Sequence, residues 1–367
     1  MKKQKLLCIL HRSPPAHGAA KVGDFIAQSR ALQDTYDCRF ITIRSSDTIG
    51  DIGKVNFKKI YLVVELYLKV LWALIVFRPH KIYFTASIRS VAFYRDLLLS
   101  TLWKVYGTLL HVEVFYHYHT KGVNEFVSSS ERNLAFTQFF LQDVNLILLS
   151  PMLKDDFEKV QTYKNIFFLP NGVEGHADDK AIEQRSYEGK KHILYLSNMI
   201  KSKGYFEVLN LAMLTCKEDL HFHFAGGWQN SDDEQEFLSL ISKPELAKKV
   251  TFHGFISGEQ KKALFEQSHL FVFPTRYHNE AFPLSILEAL SYGLPVLSTD
   301  EGSIPYILDE KCGVIVDNLD DLSAGFEREL ETLLNSKTSH YCRERYLENF
   351  TLQEFEKKLL NILGNQI

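Results

Sequence analysis

Short apolar runs of strand type alternate with helical segments along most of this 367-residue chain. A continuous apolar run of this kind predicts a strand buried on both faces, as in a parallel sheet covered by helices. Repeated strand–helix units therefore favour α/β domains. The predicted strands are residues 6–10, 39–43, 82–85, 112–116, 146–149, 166–169, 192–196, 221–225, 250–253, 270–273, 295–298 and 313–316. Because one hydrophobic core rarely organises so long a chain, we expect two doubly wound domains.

Composition agrees with two ordinary globular cores. Hydrophobic residues make up 46% of the chain, which is enough to fill them. The cysteines show neither the paired spacing of a zinc site nor the density of a disulfide framework, which predicts free thiols in a reducing compartment. They are Cys8, Cys38, Cys216, Cys312 and Cys342.

The charge is distributed unequally along the chain. Residues 1–170 carry 22 lysines and arginines against 14 acidic residues, a net charge of +8, whereas residues 171–367 carry 20 against 31, a net charge of −11. A basic first half suits an acceptor that bears phosphate, or an anionic membrane surface. Ordinary compositional scatter between two domains would give the same numbers.

Two N-terminal apolar segments bear on location. Residues 6–10 are too short for the core of a secretory signal and are interpreted as a strand, which favours a cytoplasmic protein. The longer apolar stretch, residues 60–77, is interrupted by Glu65 and Lys69. We therefore predict a buried or amphipathic helix, packed in the core, rather than a membrane span. Shallow docking at the inner face of the cytoplasmic membrane is the alternative.

Two carboxylates, Glu280 and Glu288, flank a predicted strand–loop–helix junction. Pro283 suits a first helical turn, so that Glu280 would lie in the loop and Glu288 about two turns inside the helix. Between them the free amides and the positive end of the helix dipole would receive a diphosphate. Glu288 would then bind ribose hydroxyls and Glu280 would approach a sugar, although two solvated carboxylates would show the same spacing.

The segments around this pair make the pattern specific. They are residues 170–173 (Pro-Asn-Gly-Val), Lys203-Gly204, residues 250–255 and residues 293–300. Together with Glu280 and Glu288 they resemble glycosyltransferase family 4, the retaining enzymes of the GT-B fold that are also called glycosyl transferases group 1.

This resemblance implies an α/β fold of two Rossmann-like doubly wound domains that face each other across a cleft, with a C-terminal helix crossing back to the first domain. The expected boundaries are 1–173 for an acceptor-binding domain, 174–190 for a linker, 191–343 for a nucleotide-sugar-binding domain and 344–367 for the crossover helix.

The resemblance also implies a donor site. Glu280 would orient the sugar and stabilise positive charge on its ring, and Lys203 would neutralise the diphosphate. Asn198 stands where the family usually has an arginine, with Lys201 as a substitute. The expected donor-binding residues are Asn198, Lys203, Gly227, Phe255, Glu280, Ala281, Phe282, Leu284, Ser285 and Glu288.

On the acceptor side, the run 117–122 resembles a family loop whose histidine lies close to the transferred sugar. We assign that catalytic role to His119, with His117 as the less favoured choice. The expected acceptor-binding residues are Gly18, His117 and Lys121. A histidine at a strand end is more often structural, and an alternating pair could bind metal, but a third ligand is not evident in the sequence.

The implied reaction uses a UDP- or GDP-sugar as co-substrate and a glycan or lipid-linked acceptor, with retention of anomeric configuration. The chain has no Asp-X-Asp motif, so we expect helix amides and lysine to compensate the diphosphate charge without a metal or another cofactor. Bacterial surface polysaccharide or glycolipid synthesis would be the setting, with peripheral membrane contact and no nucleic acid.

Two alternatives stay open. Departures from the family pattern at Asn198, Ala19 and Tyr306 suit a catalytically silent GT-B-like subunit that binds nucleotide or glycan in an envelope-assembly complex. A sugar-nucleotide isomerase of the same fold is the other. Retention of Glu280, Glu288 and Lys203 favours transfer.

Overall fold

A computed structural model describes residues 3–14, 18–44 and 57–364 of the chain. The chain divides into two compact units. The first unit contains residues 1–171 together with 352–367, and the second contains residues 172–351. Each unit contributes six of the twelve strands found in the described residues.

The first unit is built around a six-stranded sheet in the order β2-β1-β3-β4-β5-β6, in which every adjacent pair is parallel. Its elements up to residue 171 are β1 (Lys5–His11), α1 (Gly18–Gln28), α2 (Arg30–Thr35), β2 (Asp37–Ile43), α3 (Phe57–Trp72), β3 (Lys81–Ala86), α4 (Ser90–Leu109), β4 (Glu113–Tyr118), α5 (Val123–Ser128), α6 (Glu131–Leu141), β5 (Asn145–Leu148) and β6 (Asn165–Phe168). A π-helical segment, Ala73–Phe77, continues α3, and the 3-10 segment Pro151–Phe157 follows β5.

The second unit has a sheet in the order β12-β11-β10-β7-β8-β9, again parallel throughout. Its elements are α7 (Asp179–Glu183), β7 (Lys191–Leu196), α8 (Tyr205–Leu214), β8 (Leu220–Ala225), α9 (Ser231–Ile241), α10 (Pro244–Ala247), β9 (Val250–Phe252), α11 (Gly258–Gln267), β10 (Leu270–Phe273), α12 (Leu284–Ser291), β11 (Val296–Thr299), α13 (Ile304–Ile307), β12 (Gly313–Val316), α14 (Leu322–Leu333) and α15 (Ser336–Asn349). Short 3-10 segments span Lys201–Lys203 and Leu319–Asp321.

All twelve predicted strands are present, each within two residues of its predicted bounds. They could be found because a strand of a parallel sheet is buried on both faces and so is apolar almost throughout. The two doubly wound α/β units are therefore confirmed. The five cysteines are free thiols, also as predicted.

The last helix, α16 (Leu352–Leu363), belongs to the first unit, which confirms that the chain crosses back. Phe355, Leu359 and Leu363 are buried in one core with Leu6 and Phe115. The expected crossover helix, residues 344–367, differs in detail. Most of its first part lies in α15 of the second unit, and the chain passes into the first unit only at Leu352.

The expected linker, residues 174–190, is also different in the structure. It lies in the second unit and contains α7, whose Ile182 is buried. Arg185 donates hydrogen bonds to the carbonyl oxygens of Tyr292 and Gly293 and to the Ser339 hydroxyl. The polar sequence of this segment predicted a linker between the units. In the structure, the hydrogen bonds of Arg185 instead hold the segment on the second unit.

Core packing was predicted for residues 60–77, and the structure confirms it for one side of the helix only. Only 22% of this stretch is buried, and among the described residues it is the one helix long and apolar enough to cross a membrane, by length and composition only. Leu66, Val70 and Leu74 face the core of the unit, whereas Leu68 and Trp72 are exposed. Apolar composition alone did not show which side of the helix is covered.

Five histidines form a connected group on the sheet of the second unit. His192 and His223 are joined by a 2.8 Å hydrogen bond between Nδ1 and Nε2, and His223 and His253 by one of 3.0 Å. The rings of His192 and His269 stack at 5.7 Å, and His221 lies beside His223 at 4.8 Å. Burial is the main cause of a pKa of about 3 for His223 and about 4 for His269.

Candidate functional site

In the second unit, the predicted donor residues lie in loops at the carboxyl ends of strands or at the start of a helix that follows one. Open parallel sheets bind ligands at this edge, because the loops there converge. Asn198 follows β7, Gly227 follows β8, Phe255 follows β9, and Glu280 lies between β10 and α12. These residues therefore lie at the edge of the sheet at which the sequence placed them.

Lys203 and Glu280 form the central contact of this site. Lys203 Nζ donates to Glu280 Oε2 at 2.8 Å across 77 positions of sequence, and only 15% and 11% of the two side chains is exposed. The Lys203 ammonium also lies over the Tyr277 ring, 5.0 Å from its centroid. Because both side chains are largely buried, each charge stabilises the other, and removal of one would leave an unpaired buried ion at a high cost in free energy. The pair brings a cation and a carboxylate together.

The helix α12 begins next to this pair. Pro283 occupies the N-cap position, and a proline side chain has no acceptor to offer the amides of the first turn. Those amides, which include the main chain of Leu284 and Ser285, are the donors that an anion could use. The prediction that Glu288 lies about two turns inside was wrong, because α12 starts at Leu284 and Glu288 is its fifth residue.

Glu288 is also paired. Lys261, on α11, lies 2.6 Å from Glu288 Oε2 through its Nζ, and both side chains are about one-fifth exposed. The carboxylate is thus held by a lysine rather than solvated. Both acidic residues of the site carry a lysine partner, and a ligand would have to share these contacts or displace the lysines.

Close approaches of main chain fix the loops around the pair. A Cβ on Gly204, whose φ is 88°, would meet the Pro274 carbonyl oxygen at 2.3 Å. A Cβ on Gly302, whose φ is 59°, would meet the carbonyl oxygen of Glu280 at 2.1 Å. The main-chain carbonyl oxygen of Ser202 accepts a 2.7 Å hydrogen bond from the Arg276 amide. The loop that carries Glu280 is therefore pressed against its neighbours on two sides.

The remaining donor residues differ in access. Asn198 is exposed, and Phe255 is 76% exposed, an unusual position for a large aromatic ring. A Cβ on Gly227 would lie 3.8 Å from that ring, so the two predicted positions adjoin each other. Ala281 and Phe282 have buried side chains, which leaves their main chain as the part a ligand could reach.

Lys201, the proposed substitute for the arginine that the family usually has at position 198, is already paired with acidic side chains. Its Nζ is 3.0 Å from Asp233 and 3.4 Å from Glu236, both on α9. Lys203 is the lysine of this segment that contacts Glu280.

In the first unit, His117 and His119 come together at the end of β4. Their ring centroids are 4.0 Å apart. His117 is fully buried, its Nδ1 is hydrogen-bonded to the Tyr83 hydroxyl, and its Nε2 has no partner in the described structure. Burial, and then His119, hold the pKa of His117 well below its usual range. His117 is therefore a neutral, fixed imidazole beneath His119.

The loop after His119 is anchored by a carboxylate that sequence reasoning missed. Asp156 accepts hydrogen bonds from the amides of Gly122, Val123 and Asn124 at 2.7, 2.9 and 2.8 Å. It thereby satisfies the first amides of α5 and fixes the turn after Lys121, which is half-buried.

Gly18, the third acceptor residue, is the exposed first residue of α1. The three residues before it, 15–17, lie outside the described residues.

Three further residues of the two units were missed: Lys261, Tyr277 and Tyr83. Lys261 contacts Glu288, and Tyr83 contacts His117, each from another element of the same unit. Tyr277 lies under the Lys203 ammonium and belongs to the loop that carries Glu280. Only Tyr83 had a usable signal, as a tyrosine in a strand that was predicted to be buried on both faces. Within the described residues, no group of three or more histidine, cysteine or acidic side chains is arranged to hold a metal ion.

Comparison with known proteins gives a family match in the second unit. Residues 177–347 match the family model described as glycosyl transferases group 1. The chain is 25% identical over 194 residues to the putative colanic acid biosynthesis glycosyltransferase WcaL of Salmonella typhimurium, covering 45% of the chain and 46% of that protein. It is 28% identical over 176 residues to the GDP-mannose:cellobiosyl-diphosphopolyprenol alpha-mannosyltransferase of Xanthomonas oryzae, covering 47% and 45%. The chain thus spans less than half the length of these relatives.

The fold as a whole matches solved structures. Sucrose-phosphate synthase from Thermosynechococcus elongatus superposes with a TM-score of 0.74 over 99% of both chains, at 16% sequence identity. At that identity the likeness concerns the fold alone, and the fold is GT-B: two units, each a parallel sheet covered by helices.

Proposed function

We propose that the protein is a retaining glycosyltransferase of family 4, because residues 177–347 match the family model of the glycosyl transferases group 1. It would move a sugar from a nucleotide diphosphate sugar to a glycan or lipid-linked acceptor. The names of WcaL and of the Xanthomonas mannosyltransferase support surface polysaccharide or glycolipid synthesis, at the inner face of the cytoplasmic membrane, as the setting.

One observation carries the proposal: the 2.8 Å pair of Lys203 and Glu280 beside the start of α12. A lysine and free helix amides are what a diphosphate needs, and a carboxylate next to them suits a sugar whose ring becomes positive as the bond breaks. Glu288, held by Lys261 on the same helix, is the carboxylate available to ribose hydroxyls. The exposed Phe255 offers a face for the base.

In the proposed reaction the bond between the anomeric carbon and the diphosphate oxygen breaks, and the acceptor oxygen bonds to that carbon on the same face. The acceptor proton passes to the departing phosphate, so that the products are the glycoside and a nucleoside diphosphate. Lys203 and the amides of α12 would stabilise the departing charge without a metal. Glu280 would stabilise the sugar and orient it.

His119 would contact the sugar from the first unit, with Gly18 and Lys121 near the acceptor. Full burial of the His117 ring beside His119 favours a structural role for His117 over the predicted contact with the acceptor. A neutral imidazole in that position would hold the His119 ring without placing a charge of its own in a buried site.

The test is transfer from UDP- and GDP-sugars, in buffer with EDTA, after a screen for the donor that stabilises the purified protein thermally. Glu280→Gln should lower kcat by about 100-fold or more, since it removes transition-state charge but keeps a hydrogen-bond acceptor for Lys203. Lys203→Met should do the same, whereas Lys201→Met, two residues away and paired outside the site, should stay within about twofold of the wild type.

Donor binding without any turnover, in wild type and in Glu280→Gln alike, would instead support the catalytically silent subunit. Loss of activity on EDTA treatment, restored by a divalent cation, would contradict the metal-independent reaction. Equal loss in the Lys201 and Lys203 variants would contradict the role given to the Lys203–Glu280 pair.

A further inference from the structure

The first unit exposes an unusual apolar surface on α3 and its π-helical continuation. Seven of its large residues are more than half exposed: Ile60, Tyr61, Val64, Leu68, Trp72, Ile75 and Val76. Apart from the adjacent residues 60 and 61, and 75 and 76, they follow each other at intervals of three or four, which places them along one side of the helix. The opposite side, with Leu66, Val70 and Leu74, is buried in the unit. This segment is thus apolar on the side that faces water as well as on the side that faces the core.

The neighbouring helix extends this feature. α4, which packs against α3, has its own exposed apolar series at helical spacing: Val91, Tyr94, Leu98, Val105 and Leu109. Single exposed apolar residues are ordinary, but two adjacent helices that each expose such a series indicate a surface that is covered in use. We call the two series together the apolar face.

The charges around the apolar face indicate what covers it. Residues 57–112 contain eight lysines and arginines but only two acidic residues, Glu65 and Asp96. The two acidic side chains are paired with basic neighbours, Glu65 with Lys69 and Asp96 with Arg95, and two of the basic residues, Lys81 and Arg89, are paired with Glu113 and Glu125 from outside the segment. With those two carboxylates included, eight basic residues stand against four acidic ones, so the surplus is positive. A partner with an apolar interior and an anionic surface complements it on both counts.

We infer that the apolar face docks the first unit on an anionic lipid bilayer, with α3 lying in the plane of the membrane interface. Trp72 and Tyr61 have the amphipathic rings that suit the depth of the headgroups. Arg78, which is exposed, follows the π-helical segment and so places a cation at the C-terminal end of the apolar series. Leu66, Val70 and Leu74 hold the helix on the unit, which favours lying on the bilayer over spanning it.

This inference does not depend on sugar transfer, so it can be tested without substrates. Full-length protein is mixed with vesicles of phosphatidylcholine alone or of phosphatidylcholine with 30–40% phosphatidylglycerol, as a roughly physiological anionic content, and bound protein is measured by flotation. We expect binding to the anionic vesicles that weakens as salt is raised. The double variant Leu68→Glu/Trp72→Glu should bind at least tenfold more weakly.

The matched control is Leu214→Glu on α8 of the second unit, where the wild-type side chain is 64% exposed. It should bind vesicles like the wild type. Because the changed side chains are exposed, both variants should keep the wild-type circular dichroism and thermal midpoint. Equal binding by the double variant, or equal weakening by the control, would overturn the assignment of the apolar face.

Tryptophan fluorescence gives a second reading. Trp72 is 59% exposed, whereas Trp103 is 1% exposed. Insertion should shift the emission to the blue, and Trp72→Phe should remove that shift while the protein still binds. A wild-type protein that binds neither vesicle would contradict the inference.

Two other occupants are distinguished by their outcomes. If the apolar face joins two copies of the chain, sedimentation velocity without lipid will show a dimer for the wild type and a monomer for the double variant. In that case neither protein will bind vesicles. If residues 60–77 span the bilayer, the protein will resist extraction by alkaline carbonate. Either result would overturn docking in the interface, which predicts a monomer in this assay and release by carbonate.

Discussion

At the scale of residues, the site is defined by lysines that hold carboxylates. Lys203 holds Glu280 and Lys261 holds Glu288, from loops and helices that are far apart in sequence. These contacts restrict each carboxylate to one orientation before any ligand arrives. Preorganisation of this kind lowers the entropy that a ligand must remove on binding.

Lys261→Met tests this at Glu288. Without the ammonium, Glu288 would lose its fixed orientation, and we expect KM for the donor to rise about 3- to 10-fold, the loss of roughly 1 kcal/mol, with kcat little changed. The matched control is Lys262→Met, whose side chain is paired at 3.8 Å with Glu266 on the same helix. Kinetics with the identified donor would measure both. A similar rise in the control variant would show that charge on α11, rather than the contact to Glu288, matters.

Asp156 has a comparable role in the first unit. Asp156→Ala would leave three amides at the start of α5 without an acceptor, so we expect the free energy of unfolding to fall by about 1–3 kcal/mol. Urea unfolding followed by circular dichroism would measure it. Asp155→Ala, an exposed neighbour, should change little. If the two variants behave alike, the amide contacts do not stabilise the turn.

At the scale of elements, the histidine group on β7, β8 and their neighbours makes the second unit sensitive to acid. The folded unit lowers the pKa of His192, His221, His253 and, most strongly, His223 and His269, with burial as the first cause. In the unfolded chain these groups titrate near 6.5. Below that pH the unfolded state therefore binds more protons than the folded state, and stability is lost as the pH falls towards 4.

We expect the free energy of unfolding to be constant above about pH 7.5 and to fall below pH 6.5, by about 1.4 kcal/mol per pH unit for each proton taken up. His223→Gln keeps hydrogen-bonding groups but cannot titrate, so it should make this dependence shallower. His340→Gln, at an exposed position in α15, should leave it unchanged. Urea unfolding at pH 7.5, 6.5 and 5.5 would measure the slopes, and an unchanged slope in His223→Gln would exclude the group as the cause.

The elements also show what the sequence could reveal. The strands were predictable because a strand of a parallel sheet is apolar on both sides, and Leu270–Phe273 and Gly313–Val316 were placed to the residue. The orientation of α3 was not, since an apolar stripe that faces water has the same composition as one that faces the core. The pairing of Lys261 with Glu288 needed the packing of α11 near α12, which no local pattern encodes.

At the scale of the whole molecule, the core of the first unit depends on a helix from the far end of the sequence. Leu359→Ala would create a cavity beside β1 and β4, and we expect it to cost about 2–5 kcal/mol of unfolding free energy in the first unit alone. Calorimetry should show one unit shifted to lower temperature and the other unchanged. Lys357→Ala, on the exposed side of α16, is the control. A uniform shift of both units would mean that they unfold together.

That same helix sets the order in which the protein can be completed at the ribosome. Residues 172–351 emerge before Leu352–Leu363, so the second unit has its full set of strands while the first still lacks a wall of its interior. Until then the first unit of the nascent chain would have Leu6 and Phe115 only partly buried, and a chaperone acting on this protein would bind that exposed apolar surface.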